Sequence, residues 1–256
     1  MPQHRLTHRN SAAFTLMEVA VVLAVIGLLV GAVIGGTALL RQSELQTVTN
    51  DFGKYSAAVS QFRQQYGGLP GDIIDATNFW GDDSVNCADA GVTDGAPGTC
   101  NGNGNENMSD GTEAYRAWQH LAMAKLIVGN YTGLAGGATP GTNVPKSRIT
   151  NSGWSFGFKG VTAADANLYN QDLSNFLSIG TPTGALTQGA AITPQDAWQV
   201  DTKIDDGSPS LGRVMTMKPA SLANCSLNPG PADSNASYNR TFTAVACSLN
   251  MSLTLK

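Results

Sequence analysis

The sequence predicts an α+β protein: one long N-terminal helix laid on a C-terminal antiparallel β-sheet, with long loops between. Three observations carry that prediction. From Val19 to Leu40 the chain has no charged residue and no proline. From Leu45 to Tyr66 apolar residues recur at helical spacing. Near the C-terminus, from Val245 to Leu255, apolar and polar residues alternate as on a strand with one face buried.

The apolar run comes first. Its 22 residues would reach about 30 Å as a helix, one hydrocarbon thickness. A secretory signal peptide has a shorter apolar core, closed by a small-x-small cleavage site; this run is longer and passes directly into an amphipathic pattern. Ahead of it, Met1 to Ala13 carries His4, Arg5, His8 and Arg9 and no acid, which places that end in the cytoplasm by the positive-inside rule. One carboxylate, Glu18, stands at the head of the run. A plain membrane anchor explains the length but not this acid, which is costly there and needs a partner. Gly27, Gly31 and Gly35 repeat every fourth residue, a spacing that permits close helix approach in lipid.

The stretch Phe14-Thr15-Leu16-Met17-Glu18, set between a basic leader and an apolar span, resembles the N-terminus of type IV pilins and of the pseudopilins of type II secretion. In that family a peptidase removes a short basic leader before a phenylalanine, the new amine is methylated, and a glutamate occupies the fifth mature position. Counted from Phe14, Glu18 is the fifth residue. The resemblance implies processing between Ala13 and Phe14 and an assembly role for Glu18. It divides the chain into a leader (1–13), a transmembrane and filament-core helix (14–40) and an extracytoplasmic pilin-like domain (41–256). Two positions depart from the family: Ala13 stands where glycine is usual before the cut, and Gly35-Gly36 where many pilins carry a proline.

The helix is expected to continue to about Tyr66. Leu45, Val48, Phe52, Tyr55, Val59, Phe62 and Tyr66 form one stripe, opposite Arg41, Glu44, Lys54, Gln61 and Arg63, and Gly67-Gly68 with Pro70-Gly71 ends it. A loop region follows to about Asp110. Asp110 with Glu113 three residues on reads as a cap opening a helix from Ala114 to Ile127, with Trp118, Leu121 and Ala122 inward. Short strands are expected near Trp154–Phe158, Trp198–Ile204 and Leu211–Met217 before the final alternating segment, and the four tryptophans (Trp80, Trp118, Trp154, Trp198) read as core.

Charged residues make up only 13%, against abundant Gly, Asn, Ser and Thr, which suits a loop-rich extracytoplasmic surface. The formal net charge of −4 becomes −6 once Arg5 and Arg9 leave with the leader, so no general nucleic-acid surface is expected. Cys87, Cys100, Cys225 and Cys247 form no C-x-x-C pair, and in an oxidising compartment they suggest two disulfides. Sequence alone leaves three connectivities open. Proximity favours Cys87–Cys100 and Cys225–Cys247, and the second pair also resembles the C-terminal disulfide loop of pilins.

No catalytic constellation stands at a recognisable spacing in the sequence. Past the leader the chain holds one histidine, His120, read as a structural or surface residue, and there is neither a phosphate-loop nor a zinc-protease motif. No enzyme activity and no cofactor are expected. Asn101, Asn103 and Asn105, with Asp110 beyond, resemble the first half of an EF-hand loop, but the first three are amides and Glu106 stands at the turn position. At best this segment would bind calcium weakly. Asp201, Asp205 and Asp206 read as a turn. The expected function is therefore structural, as a subunit of a type IV pilus-like or type II secretion filament. The resemblance implies as partners a prepilin peptidase and methylase, other pilin subunits, an inner-membrane platform protein and an assembly ATPase. It places the chain first in the inner membrane, with the C-terminal domain periplasmic, and then in the filament. The alternative is a membrane-anchored binding or adhesion domain that does not polymerise.

Overall fold

The computed structural model describes residues 14–83, 85–87, 98–109, 112–160, 167–227 and 236–253. The leader, Ala13, the Asp110 cap and the last three residues, Leu255 among them, lie outside the described residues. The chain divides into two compact units, Met1–Ser43 and Glu44–Lys256. Helix α1 runs from Leu16 to Tyr66. Its part in the first unit is exposed, large side chains such as Leu23, Leu28 and Ile34 included, and it contains a window of mean hydropathy 2.7, long and apolar enough to cross a membrane.

In the second unit the expected stripe is the buried one. Leu45, Val48, Phe52, Tyr55, Ala58, Val59 and Phe62 are buried and Tyr66 packs at the edge of the same core. Tyr55 meets Trp118 edge-on at 5.0 Å and Trp154 at 5.6 Å, and Trp118 lies 4.2 Å from Phe156. Trp118 and Trp154 are thus the centre of the core, whereas Trp80 and Trp198 are only partly buried at its margin. Short α2 (Thr77–Trp80) precedes α3 (Glu113–Met123), which stops four residues before the expected end. Lys125, in the left-handed region at φ 59°, turns the chain there, and Ala122 is half-buried while Leu121 is fully buried.

Strands β1 (Gly153–Lys159), β2 (Ser174–Thr183), β3 (Leu186–Gly189), β4 (Val214–Met215) and β7 (Leu249–Ser252) form one antiparallel sheet in the order β1-β2-β7-β4, with β3 paired to the end of β2. Trp154 faces Ile179 and Leu177 faces Met251 across the ladder. A two-stranded ribbon joins β5 (Ser226–Leu227) to β6 (Ser237–Tyr238). This is the α+β, helix-then-sheet layout of a pilin-like fold. Disulfides join Cys87 to Cys100 and Cys225 to Cys247.

Three expectations need correction. Trp198–Ile204 is not a strand but the second half of helix α4 (Pro194–Ile204). Thr193 caps that helix by accepting the Asp196 N–H, its hydroxyl donates to the Asp196 carboxylate at 2.8 Å, and Pro194 takes the first turn, where no N–H is needed. The Leu211–Met217 segment contributes only the two residues of β4 and a bridge from Met217 to Leu168. In the last segment Val245 is exposed and the polar face is buried as well, because a second cluster (Leu168, Tyr169, Leu173, Phe176, Met215, Met217) packs on the sheet's other side. Polar residues survive there by pairing: Ser155 with Thr187 at 2.9 Å, Gln188 with Asn250 at 3.0 Å.

Candidate functional site

Residues at the head of α1 come first. Thr15 precedes the first helical residue, and Glu18 is third in the helix. The Glu18 N–H donates to the Thr15 hydroxyl oxygen at 3.3 Å, while the Glu18 carboxylate accepts the Thr15 N–H and O–H, each at 2.9 Å. This reciprocal arrangement is a capping box, which satisfies two of the N–H groups that a helix start leaves unpaired. It also holds a negative charge in the first turn, where the helix dipole favours one. Thr15 is missing from the sequence-derived candidates, although a threonine three residues before a glutamate is the signature of such a box. Phe14 is exposed beside it. Along the span nothing lies within 4 Å of where a side chain on Gly27, Gly31 or Gly35 would begin, so that face is open to another helix.

The asparagine-rich segment is organised by its own backbone. The side-chain oxygen of Asn101 accepts the Thr77 N–H, that of Asn103 the Asn105 N–H, that of Asn105 the Asn107 N–H, and that of Asn107 the Ser109 N–H. The last three are Asx turns, which account for amides at alternate positions, while Asn101 holds the first residue of α2 from across the loop. Glu106 occupies a left-handed backbone position at φ 63°, and the Asp72 carboxylate ties the segment down through the N–H groups of Asn105 and Glu106. Gly71, just before Asp72, is at φ 83°, and a side chain there would run into the α3 backbone at Ala117.

His120 is fully buried and spoken for. Its Nδ1 accepts the Gly71 N–H at 2.9 Å, so Nε2 carries the proton and donates to the Thr99 hydroxyl at 2.7 Å. Thr99 donates in turn to Gln119. Burial, with the nearby Arg116 charge, pushes the His120 pKa down to about 3. A base held neutral and enclosed in this way joins the turn after α1, the disulfide loop and α3 structurally. Asp201 on α4 is its counterpart. It accepts the Tyr238 O–H at 2.7 Å and the Gly207 N–H at 3.1 Å. Burial raises its pKa to about 7 despite these donors, helped by Asp206 and Asp205. The three aspartates bring a carboxylate oxygen each within 4.8 Å of one another, while Asp205 also accepts the N–H groups of Arg213 and Val214.

The two buried groups act oppositely on stability. Below about pH 6.5 the unfolded state takes up a proton on His120 that the fold refuses, so stability falls by about 1.4 kcal/mol per pH unit towards pH 3. Asp201 is protonated in the fold before it is in the unfolded chain, so its contribution grows as pH falls from about 7. The wild type is therefore expected to lose little stability to these groups between pH 6.5 and pH 5. Asp201→Asn removes the opposing gain and should reveal the loss from His120, about 2 kcal/mol at pH 5. Urea unfolding at the two pH values, followed by tryptophan fluorescence, checks this; equal pH dependence in both proteins would contradict it.

Comparison with known proteins adds one match. Residues 8–34 match the family model described as the prokaryotic N-terminal methylation motif, which is characteristic of type IV pilins and pseudopilins. Comparison with curated proteins and with solved structures gave no match.

Proposed function

We propose that this chain is the precursor of a filament subunit, a type IV pilin or pseudopilin, cut before Phe14 and polymerised through the apolar half of α1. The observation that carries the reading is the methylation motif at residues 8–34, which encloses Phe14 and Glu18 at the head of a membrane-length apolar helix. The capping box supports it, because it holds the Glu18 carboxylate one helical turn from the backbone nitrogen that cleavage would turn into an amine. Before assembly the apolar half of α1 is stored in the inner membrane, with Arg5 and Arg9 keeping the leader cytoplasmic. Prepilin peptidase and its methylase act at Phe14, the platform protein and assembly ATPase extract the helix, and other subunits receive it. The activity is assembly rather than catalysis.

Co-expression with a prepilin peptidase should shorten the chain by the 13 leader residues and leave a methylated Phe14, read by intact mass and N-terminal fragmentation. A chain that keeps its leader, both as it stands and as Ala13→Gly, would instead be a membrane-anchored domain that does not polymerise.

A further inference from the structure

Two oppositely charged surfaces in the second unit lie on the two flanks of the buried stripe of α1. One is a groove of about 500 Å³ at the end of the helix. Asp72, Asp75 and Glu106 line it against a single cation, Arg63, which pairs with Glu106 at 3.0 Å. Its apolar wall includes Ile74, which is 64% exposed, and Tyr66, which meets the half-exposed Phe79 at 5.1 Å. Such a cleft fits a long basic side chain, its stem along Ile74 and Tyr66 and its charge at Asp75. The other surface surrounds Asp51. Burial raises the Asp51 carboxyl above its usual range, and the charges of Lys54 and Arg148 beside it oppose that rise. Lys146 lies two residues from Arg148 on the same loop, and Lys54, Lys146 and Arg148 are all exposed. The exposed cations here face outward, as do Asp75 and Glu106 at the groove, where Asp72 is buried and held by the Asn105 and Glu106 N–H groups.

Lys54 and Arg63 are nine residues apart, two and a half turns at about 3.6 residues per turn, so they stand on opposite sides of the helix axis. Complementary patches that do not overlap and point different ways make a heterologous contact, which propagates rather than closes. We infer that the groove docks the Lys54, Lys146 and Arg148 surface of a second copy of this chain, displaced along parallel helices by about 14 Å. The inference rests on the filament reading, which supplies the parallel helices. The charges fix side and stagger, while the apolar helix halves hold the copies together.

Zero-length carbodiimide cross-linking of the full-length protein, in isolated membranes and in sheared filaments, tests it. Cells carrying a mixture of light- and heavy-isotope copies separate links between chains from links within one. The expected result is a dimer in which Lys54 or Lys146 of one copy is joined to Asp75 or Glu106 of another. Asp75→Lys and Lys54→Glu should each lower that dimer about tenfold, and the two changes combined in one chain should restore it. Filaments lacking these links overturn the docking and leave the filament reading intact. Links found in membranes of cells that make no filaments support the docking and count against the filament reading. Dimers joined only at other residues, or no dimer, overturn the docking in either preparation.

Discussion

Arg116→Ala is expected to lower the stability of the second unit by about 3–5 kcal/mol, the largest loss for any single change outside the hydrophobic core. Arg116 sits on α3 and is almost wholly buried, with Nη2 on the Asp83 carboxylate at 3.0 Å and Nη1 on the Gln119 side-chain oxygen at 2.9 Å. Burial alone would raise the Asp83 carboxyl, but the Asn86 amide and the Arg116 charge together hold it below its ordinary range. Asp83 also anchors the disulfide loop, its N–H donating to the Thr99 carbonyl at 3.0 Å. Removing Arg116 leaves that carboxylate without its cation, costs Gln119 a donor and opens a void beside Gly133, against which the arginine stem packs. Asp83→Asn combined with Arg116→Met takes away both charges and should recover much of the loss. Equilibrium unfolding in urea, with full-length protein in detergent, gives the number. A loss below about 1 kcal/mol, the worth of an exposed pair, would show that water reaches the site. An independent readout is His120. Without the neighbouring positive charge its pKa, followed by NMR, should rise from about 3.

Much of this arrangement was legible in the chain, and the reasons differ by element. The stripe from Leu45 to Tyr66 persists over six turns, so helical periodicity outweighs any local ambiguity, and those residues became the spine of the core. The β1 segment was found because Trp154, Phe156 and Phe158 alternate between turn-forming flanks. Strand β2, the centre of the sheet, carries no such signal. Its sequence, SNFLSIGTPT, is rich in Ser, Gly and Thr, since both of its faces are covered and hydrogen-bonded side chains replace apolar ones on one of them. The same two-sided burial undercut the reading of the last strand, where the apolar face was right and the solvent face was not. Helix α4 lies where a strand is expected, although Thr193-Pro194-Gln195-Asp196 announces a helix start. At the candidate site Glu18 is legible through its position in the motif, whereas Thr15 is legible only through its spacing to Glu18 as a capping box. Arg116, Asp83 and Gln119 carry no local signal. They meet only after the disulfide loop folds onto α3, a contact that no spacing encodes.

Glu18→Ala should leave the protein expressed, processed and membrane-inserted but unable to enter filaments with normal efficiency. Within one chain the Glu18 carboxylate accepts from Thr15 alone among the described residues, and both bonds go to the same oxygen, Oε2. A carboxylate offers about four acceptor positions on its two oxygens, so capacity remains for a further donor. Cleavage would create a donor of the right charge, the amine of Phe14. Its own chain's amine lies at the same helix start, while a neighbouring subunit's amine could meet Glu18 only at one axial offset, which would fix register. At the head of the span the drive has the same sign but is smaller than the roughly 2.5–3.5 kcal/mol that an unpaired charge costs at the bilayer centre on insertion scales. Glu18→Gln separates the two roles of this side chain. It keeps an acceptor for the Thr15 N–H, and so the cap, but removes the charge that a subunit amine would seek. Glu18→Gln should therefore assemble as poorly as Glu18→Ala while matching the wild type in membrane content and processing. Sheared filament yield, divided by the amount of processed protein in the membrane, is the quantity to compare. If both variants are incorporated as well as the wild type, Glu18 serves only to start its helix. Poor assembly of Glu18→Ala alone would place the defect in the cap and not in the charge.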